Sequence, residues 1–518
     1  MNLALLIRKW CALHRDQTAV VLGEERRSYG ELYERSCRLA NGLTALGLRP
    51  QDRVAILGHN SIASLEQLTG LALGGFARVS LHTLNPVSMH RFMIEHVGAR
   101  ALIVTEELYP KVKGLAAEIE SLEFVVVLGE GGEIGYETLL AGASPAFPDA
   151  RIDPDDVLHL QFSSGTTGKP KAVIATHRAW IGETSENLLM LPPLDTTDRY
   201  LAAGPLTHAA MTVYFALMAR GCSVVVMEKF DPAHAAELIE RERCTFTMLV
   251  PTMIQLFVNH PEVRARDLSS LRVLLYAGSP ITEQAIRDAR ALLGDVLYQT
   301  YGQSEGIPLT ILTPADHARG IEGDRDLLRS AGRPTPNSLV KIIDDAGNEL
   351  GPGEVGEIAM YTPGQMRGLW NNPSATAERF TPDGFVKTRD IGYLDANGYL
   401  YLADRKEDMI ISGGFNIWPA EVENALASHP AVLEVSVFGV PHPKWGETPV
   451  AVVVLRDGAA ATDTELIDWC RQEVGSLKKP TRVEFRSRSL PKSAVGKVLR
   501  RSLRDEFVAS GPPAGTAS

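Results

Sequence analysis

The sequence predicts an α/β protein, with a large N-terminal domain of doubly wound α/β subdomains plus a β-rich subdomain, and a small α+β C-terminal domain. Three observations lead to this class: short apolar runs alternate with helical patterns, turn signals become dense after about residue 340, and a separate block of strands and helices follows residue 405. Fully buried strands that alternate with helices are typical of doubly wound sheets. The candidate buried strands are residues 54–57, 101–104, 124–128, 223–227 and 271–275.

The segments between and after these strands complete the prediction. Residues 232–243 and 281–293 carry apolar side chains at helical spacing, so we expect them to be crossover helices. Beyond about residue 340, pairs of turn-forming residues predict hairpins and hence a small β-rich subdomain. These turn signals are Asp345-Ala346-Gly347, Pro352-Gly353, Asp383-Gly384 and Asn397-Gly398.

The C-terminal block has strand-like runs of its own at residues 435–438 and 450–455. We place the domain boundary between Asp404 and Arg405, so that residues 1–404 form the N-terminal domain and residues 405–518 the C-terminal domain. The tail, residues 509–518, contains only small residues and Pro, and we expect it to be disordered.

The composition excludes several classes of protein. The chain has 518 residues, of which 45% are hydrophobic and 22% charged, as in ordinary globular proteins and unlike collagen or a disordered chain. Its formal net charge of −11 gives no general positive field for nucleic acid or anionic lipid. We therefore expect no nucleic-acid partner, and any anionic ligand must be held by local groups.

Cysteine usage and hydropathy indicate a cytoplasmic protein. The five cysteines are odd in number and widely spaced, with no Cys-x-x-Cys pair, which favours a reducing compartment. The apolar start of the chain is interrupted by Arg8 and Lys9, so we expect an amphipathic helix there and no signal peptide. No run approaches the roughly 18 apolar residues of a membrane span, so we expect at most peripheral membrane contact.

The densest chemical signal is a segment of nine residues that combines two glycines, four hydroxyl groups and two lysines. Glycines let the backbone turn sharply, while hydroxyl and ammonium groups can surround a polyphosphate. A Walker A loop is disfavoured because Ser163 stands where that motif has its first Gly and Pro170 where it has Ser or Thr. Taken alone, the segment could also be a flexible surface turn. It reads Ser163-Ser164-Gly165-Thr166-Thr167-Gly168-Lys169-Pro170-Lys171.

This nonamer resembles the phosphate-binding signature of the adenylate-forming superfamily, which comprises acyl-coenzyme A synthetases, adenylation domains of peptide synthetases and beetle luciferases. Further motifs follow in the family's order, and the similarity spans the chain from about Thr18 to Phe507. The resemblance implies that the loop binds the phosphates of ATP. The residues assigned to that role are Ser163, Ser164, Gly165, Thr166, Thr167, Gly168 and Lys169.

The segment 298–305 is similar to the family's adenine and magnesium motif, with Ser304 in place of the commoner Thr. The resemblance implies that Tyr301 stacks on adenine and that Glu305 holds Mg²⁺ together with the Ser164 hydroxyl. Carboxylate and hydroxyl oxygens suit a hard cation that bridges phosphates. Alone, such a segment would be an ordinary loop. The nucleotide-binding residues implied here are Gln299, Thr300, Tyr301, Gly302 and Ser304.

Two further segments resemble nucleotide-binding motifs of the family. The segment 276–280 is similar to one whose backbone lies against the nucleotide, which implies roles for Gly278 and Ser279. Thr388-Arg389-Asp390 resembles a Thr-Gly-Asp triplet whose Asp binds the ribose hydroxyls. Arg389 departs from the usual Gly, so the resemblance implies the role of Asp390 and leaves the local backbone open.

The segment 404–414 is similar to the family's interdomain hinge. The resemblance implies that Arg405 contacts ribose, that Glu407 is the pivot of a mobile C-terminal domain, and that Gly413 and Gly414 line a pantetheine tunnel. Many relatives have Asp or Lys at the pivot, so Glu407 is a mild departure. Alone, this charged run would be a solvent-exposed turn.

The segment 491–497 resembles the C-terminal signature whose last lysine is catalytic, here Lys497. The chemistry needs a cation, because a substrate carboxylate must approach an anionic α-phosphate and the two repel strongly in a cleft of low dielectric constant. A flexible ammonium could contact both groups. In isolation, a Gly-Lys pair near a C-terminus would be exposed surface.

His208 lies where the family has the gate of its acyl pocket, with Thr207 replacing the usual aromatic residue. A lone histidine would more often be structural. The small residues Ala209 and Ala210, with residues 306–308, leave room for an apolar tail. Trp180 is a weaker pocket candidate whose default interpretation is core packing.

The resemblance implies an ATP-dependent acyl-CoA synthetase that uses ATP, Mg²⁺ and coenzyme A on a fatty, aryl or alicyclic carboxylic acid. Lys497 and Glu305 would serve adenylate formation and His208 the acyl pocket. Alternatives are a stand-alone adenylation enzyme that loads a carrier protein, luciferase-type oxygenation and an inactive nucleotide-binding relative, although the presence of Lys497 and Glu305 argues against the last. A homodimer is the default for such an enzyme.

Overall fold

The computed structural model describes residues 1–129, 132, 134–163, 170–279, 281–405, 408–413, 415–492 and 498–509, without the side chains of residues 325, 404, 405, 415 and 416. Within these residues the strands form four sheets, and helices cover the two largest. This arrangement confirms the predicted mixed α/β class. Elements are numbered below in chain order.

The first 150 residues alternate strands and helices. Ser28 and Glu31 form a capping box that starts the second helix, and Gly75, at φ +71°, ends the third in the left-handed conformation that favours glycine. The strands are β1 (Thr18–Leu22), β2 (Glu25–Ser28), β3 (Arg53–Leu57), β4 (Ala77–Ser80), β5 (Ala101–Thr105), β6 (Phe124–Leu128) and β7 (Ile134–Gly135). The helices are α1 (Leu3–Leu13), α2 (Tyr29–Ala45), α3 (Ile62–Gly74), α4 (Val87–Val97), α5 (Tyr109–Val112), α6 (Leu115–Glu118) and α7 (Tyr136–Ala141).

The next region continues the alternation, and short 3₁₀ helices occur at Ala209–Met211, Val263–Ala265 and Arg325–Arg329. Its strands are β8 (Val157–Ser163), β9 (Lys171–Thr176), β10 (Arg199–Ala202), β11 (Ser223–Val226), β12 (Phe246–Leu249), β13 (Val273–Tyr276), β14 (Leu297–Gln303), β15 (Gly306–Leu312) and β16 (Arg333–Pro334). Its helices are α8 (His177–Met190), α9 (Tyr214–Arg220), α10 (Pro232–Glu242), α11 (Pro251–Asn259), α12 (Glu283–Leu293) and α13 (Pro314–Glu322).

The remaining elements are richer in strands. The strands up to residue 405 are β17 (Leu339–Ile343), β18 (Gly356–Tyr361), β19 (Gly368–Leu369), β20 (Val386–Leu394) and β21 (Leu400–Arg405), with one helix, α14 (Pro373–Arg379). The later strands are β22 (Ile410–Ser412), β23 (Phe415–Ile417), β24 (Val432–His442), β25 (Gly446–Leu455) and β26 (Arg482–Arg486). The later helices are α15 (Pro419–Ala427), α16 (Asp463–Val474) and α17 (Arg500–Ala509).

The two large sheets have parallel centres. The nine-stranded sheet is antiparallel at both edges, whereas the eight-stranded sheet is antiparallel only at its β19–β9 edge. One has the order β19-β9-β8-β4-β3-β5-β6-β7, and the other β16-β15-β14-β13-β12-β10-β11-β1-β2. Strands β8 and β4 are parallel, as are β13 and β14, whereas β9 and β15 return antiparallel to their predecessors. One apolar core joins the two sheets, because it contains Leu158 of β8 and Val224 of β11 together with the helical residues Trp180, Met211 and Phe215. The predicted buried strands and crossover helices are therefore confirmed to within a few residues.

The two smaller sheets are antiparallel apart from one strand. Strands β17-β18-β20-β21 form the predicted β-rich region, where Gly347, Gly353, Gly384 and Gly398 all have positive φ in the turns. The last sheet has the order β23-β22-β25-β24, with β26 parallel to β25, and α15 and α16 share its apolar core.

All five cysteines are buried and free. In the part of the chain that the structure describes, no helix combines the length and the apolar character that crossing a bilayer requires.

Candidate active site

The motifs that resemble nucleotide-binding segments lie at the carboxyl ends of parallel strands. Ser163 ends β8 and pairs with Lys171 of β9, so the segment that resembles the phosphate-binding signature connects these two strands in sequence. Gly278 and Ser279 follow β13, and Ser304 follows β14. Ligands of open α/β sheets bind outside the carboxyl ends of the strands, so each of these positions, on one or the other large sheet, is a candidate for ligand contact.

Ser304 and Glu305 form the two-residue turn between β14 and β15. Ser304 is exposed, whereas Glu305 is only 7% exposed. Oε1 of Glu305 forms an ion pair of 3.0 Å with Nη2 of Arg379, a buried residue at the end of α14. The backbone carbonyl of Glu305 accepts from the Met366 amide at 2.8 Å. Oε2 of Glu305 has no partner among the described residues, so one oxygen is fixed and one is available for a ligand.

Asp390 is a buried carboxylate in the middle of β20. Its Oδ2 accepts hydrogen bonds from the Tyr301 hydroxyl at 2.6 Å and from Nε2 of Gln303 at 2.5 Å. Both donors belong to β14, so the adenine and ribose motifs meet directly. Gln303 also donates to the Thr388 carbonyl at 3.1 Å. These contacts fix the orientation of Asp390 before any ligand binds.

Arg389, where the family motif has Gly, has φ +64°. Its amide donates to Oε1 of Glu357 at 3.1 Å. A side chain in the left-handed region costs roughly 1 kcal/mol. The backbone therefore keeps the conformation that a glycine would adopt without strain, which resolves the question that the sequence left open.

Gly278 and the β14 residues Gln299, Thr300 and Gly302 differ in their packing and hydrogen bonds. Gly278 has φ +95°, and a side chain there would meet only Val250, at 3.8 Å, so its outer face is open. Oε1 of Gln299 accepts from the Tyr276 hydroxyl at 2.9 Å. The Thr300 hydroxyl donates to the Thr310 carbonyl at 2.9 Å, within the sheet, so its side chain is engaged by β15. Gly302 is closely packed, because a Cβ atom would lie 2.9 Å from the Gly306 carbonyl oxygen.

His208 belongs to a group of four side chains that we call the histidine cluster: Arg78, His82, His159 and His208. The rings of His82 and His208 are 4.9 Å apart, and Nη1 of Arg78 lies 3.4 Å from Nδ1 of His159. Burial, the charge of Arg78 and a neighbouring histidine lower the pKa of His159 and that of His208 to about 3. Burial lowers the pKa of His82 to about 4. The three rings are therefore neutral at pH 7.

Sequence reasoning found only His208 of this cluster. The other members lie on β4, after β4 and on β8, and their proximity arises because Arg78 and His159 are register partners. In the sequence, the only indication of this cluster was a single arginine inside an apolar strand.

Sequence reasoning likewise missed Arg379 and Gln303, the partners of Glu305 and Asp390. Trp180 packs against the Phe215 and His159 rings at 5.4 and 5.9 Å, in the core as expected.

Several predicted site residues lie outside the described residues: Ser164, Gly165, Thr166, Thr167, Gly168, Lys169, Glu407, Gly414 and Lys497, with the side chain of Arg405. Gly413, which is described, has φ +59°, and its amide donates to the Trp445 carbonyl at 2.8 Å. It lies in the turn between β22 and β23.

Comparisons with known proteins define the class. A family model for AMP-binding enzymes matches residues 7–370, and one for the AMP-binding enzyme C-terminal domain matches residues 421–497. The chain belongs to the AMP-binding enzyme family and has the fold of adenylate-forming enzymes.

Similarity to individual relatives indicates which kind of AMP-binding enzyme this chain is. The chain is 38% identical to a feruloyl-CoA synthase of Amycolatopsis sp, covering 95% of this chain and 96% of that protein. It is 34% identical to the medium/long-chain-fatty-acid–CoA ligase FadD8 of Mycobacterium tuberculosis, covering 95% and 88%. A solved o-succinylbenzoate CoA synthetase of Bacillus subtilis, in complex with its acyl-adenylate intermediate, matches with a TM-score of 0.84 and 31% identity over 96% of this chain and 97% of that one. The chain is thus an acid–thiol ligase of the AMP-forming kind.

Proposed function

We propose that the chain converts a fatty, aryl or alicyclic carboxylic acid, ATP and coenzyme A into an acyl-CoA, AMP and diphosphate through an acyl-adenylate. The observation that carries this proposal is the arrangement of Asp390 and Glu305, two buried carboxylates held in fixed orientations beside the end of β14. The relatives described above act, by name, on a feruloyl group, on medium- and long-chain fatty acids and on o-succinylbenzoate, which supports the fatty and aryl part of this range.

In the first half-reaction, a carboxylate oxygen of the acid attacks the α-phosphorus of ATP, and the bond to the β-phosphate oxygen breaks with its electron pair going to diphosphate. Lys497 would neutralise the charge shared by carboxylate and α-phosphate. Asp390 and Arg405 would hold the ribose, Tyr301 the adenine, and residues Ser163 to Lys169 the phosphates. These roles follow from the family motifs together with the contacts of Asp390 and Tyr301.

The residues present fit a magnesium ion at the phosphate end of the site. Glu305 offers Oε2, and Mg²⁺ is commonly bound by one or two carboxylates together with phosphate and water oxygens. We propose Glu305 and the Ser164 hydroxyl as its protein ligands. When bound, the ion would neutralise phosphate charge, while Arg379 holds the orientation of Glu305.

We propose that the second half-reaction uses a different orientation of the C-terminal domain, residues 405–518. Rotation about Glu407 would remove Lys497 and bring Gly413 and Gly414 to the pantetheine tunnel. The thiol sulfur then attacks the acyl carbon, and AMP leaves with the electron pair of the broken bond, because a phosphate is a far better leaving group than a carboxylate oxygen. His208 would line the edge of the acyl pocket.

The cellular context is also part of the proposal. Five buried, unpaired cysteines suit a cytoplasmic enzyme. We propose a homodimer as its assembly state, with coenzyme A and the acid as its small-molecule partners.

The test separates the half-reactions with Lys497→Ala. This variant should abolish acid-dependent diphosphate release and largely retain thioester formation from supplied acyl-adenylate and coenzyme A. Lys492→Ala is the matched control, because Lys492 lies in the same segment and pairs with Glu434 at 2.8 Å. It should retain both activities. Equal loss of both steps in Lys497→Ala would contradict the proposed alternation of domains.

A further inference from the structure

Arg78 of the histidine cluster is a buried cation whose described partners are all uncharged. The residue is 4% exposed and lies in the centre of the eight-stranded sheet. Its Nη1 donates to the Met211 thioether at 3.1 Å, and its Nη2 donates to the Leu206 carbonyl at 3.3 Å. None of the described carboxylates forms an ion pair with it. Burying a guanidinium without a counter-charge is costly, so the site favours an anion.

The neighbouring polar groups do not supply that anion. The rings of His82, His159 and His208 are neutral, and burial alone lowers the pKa of Arg78 to about 9. At pH 7 the guanidinium is therefore still charged. The cluster carries one positive charge and no negative charge from the described residues.

Three buried atoms in this region, Nε of Arg78, Oγ of Ser80 and Nε2 of His82, lack a hydrogen-bond partner among the described residues. Arg78 and Ser80 are two residues apart on β4 and so share a face of the sheet. A cavity of about 10 Å³, space for one water molecule, adjoins Arg78 and Thr207. Buried donors without partners are rare in native proteins and call for a ligand or water.

The cluster also adjoins the residues expected to form the acyl pocket. Met211 follows Ala209 and Ala210 in the 3₁₀ helix after His208. The Met211 thioether is a weak acceptor on a flexible side chain, so a stronger acceptor can replace it without breaking a strong bond.

We infer that Arg78 is a specificity-determining residue that binds a second carboxylate of the acid substrate, remote from the carboxylate that is adenylated. The inference rests on the proposed function and deepens it: the substrate class is dicarboxylic acids. The guanidinium would pair with the remote carboxylate, and Nε2 of His82, which belongs to the same cluster and lacks a partner among the described residues, would donate to it as well.

The test compares matched acids that differ by one carboxylate: octanoate with octanedioate, and 3-phenylpropanoate with 3-(4-carboxyphenyl)propanoate. We expect the wild-type kcat/KM for diphosphate release to favour the diacids by about tenfold or more. Arg78→Met should reverse the preference, with the KM for ATP unchanged. Arg53→Met, which removes a half-buried arginine from the neighbouring strand β3, should keep the wild-type preference.

A binding measurement keeps this inference separate from the proposed function. Calorimetric titration of octanedioate and octanoate, in the presence of a non-hydrolysable ATP analogue, needs no turnover and should show the same loss of preference in Arg78→Met. If no acid supports diphosphate release while the binding preference holds, the proposed function fails and the Arg78 site stands. Equal affinity of the wild type for both acids, or an equal loss for both in Arg78→Met, would overturn the inference.

Discussion

Arg379 and Arg78 are both buried, and they lie at two different parts of the site. Arg379, 8% exposed, pairs with Glu305 beside the nucleotide motifs, whereas Arg78, 4% exposed, has neutral partners beside the expected acyl pocket. In each, Nε is buried without a described partner. The two residues therefore differ in the counter-charge and resemble each other in burial.

The presence or absence of a counter-charge distinguishes the proposed nucleotide end of the site, with Asp390 and Glu305, from the histidine cluster. At the proposed nucleotide end, Asp390 and Glu305 are oriented by donors from the protein itself. In the histidine cluster, no described carboxylate balances the positive charge of Arg78.

Glu305→Gln should have the largest effect on stability and activity. It leaves Arg379 buried without a charged partner, as Arg78 is. Removing one partner of a buried ion pair costs about 3–5 kcal/mol, and loss of the proposed metal ligand should reduce diphosphate release about 1,000-fold. Thermal unfolding and steady-state kinetics measure both effects. The double variant with Arg379→Met should recover stability without activity. Recovery of activity as well would show that Glu305 serves only Arg379.

The next largest effect should be on the KM for ATP, in variants of Asp390 and Tyr301. Asp390→Asn should raise the KM for ATP by about 10–100-fold and leave the preference between matched acids unchanged, because it acts at the nucleotide end. Tyr301→Phe, which removes one hydrogen bond to Asp390, should cost only a few-fold. Initial rates at varied ATP test both. A change of acid preference in Asp390→Asn would remove the distinction between the two ends.

Acidification should destabilise the histidine cluster. The folded pKa of His159 is about 3, below the usual 6.5, so the unfolded state binds more protons between these values. Its contribution to stability is complete above pH 6.5 and is lost as pH falls towards 3, which amounts to about 2 kcal/mol at pH 5. Thermal unfolding at pH 7 and pH 5 should show a smaller loss for His159→Gln than for the wild type. Identical losses would mean that His159 is not buried as a neutral ring.

The smallest effect is on stability at neutral pH. Arg78→Met should change the free energy of unfolding by only about 1 kcal/mol, because a cation without a counter-charge is replaced by an apolar chain of similar length. Arg379→Met should cost more, since it leaves Glu305 without its cation. Unfolding of the two variants side by side checks this. Equal destabilisation would indicate that Arg78 has a structural counter-ion.

The fold was largely predictable because its strands are continuous apolar runs. Residues 124–128 form β6 as predicted, since a run of valines in a parallel sheet is buried on both faces. Turn glycines such as Gly398 marked the β-rich region for a local reason, positive φ. Both the apolar runs and the turn glycines are local features, which can be recognised from neighbouring residues in the sequence.

The pairings within the site were not predictable, because they join distant segments. Arg379 lies 74 residues after Glu305, and Arg78 lies 81 residues before His159. Register between parallel strands brings Arg78 and His159 together, and periodicity alone does not set that register. The motif residues Asp390 and Tyr301 were predicted separately, whereas their hydrogen bond came from the structure.

The most direct test of the central claim is diphosphate release from ATP across short, medium, long, aromatic and dicarboxylic acids, with and without coenzyme A. We predict release that becomes multiple-turnover only when coenzyme A and one class of acid are both present. Acid-dependent turnover that is indifferent to coenzyme A would contradict the account and point to loading of a carrier protein, and an absence of release with every acid would contradict adenylate formation itself.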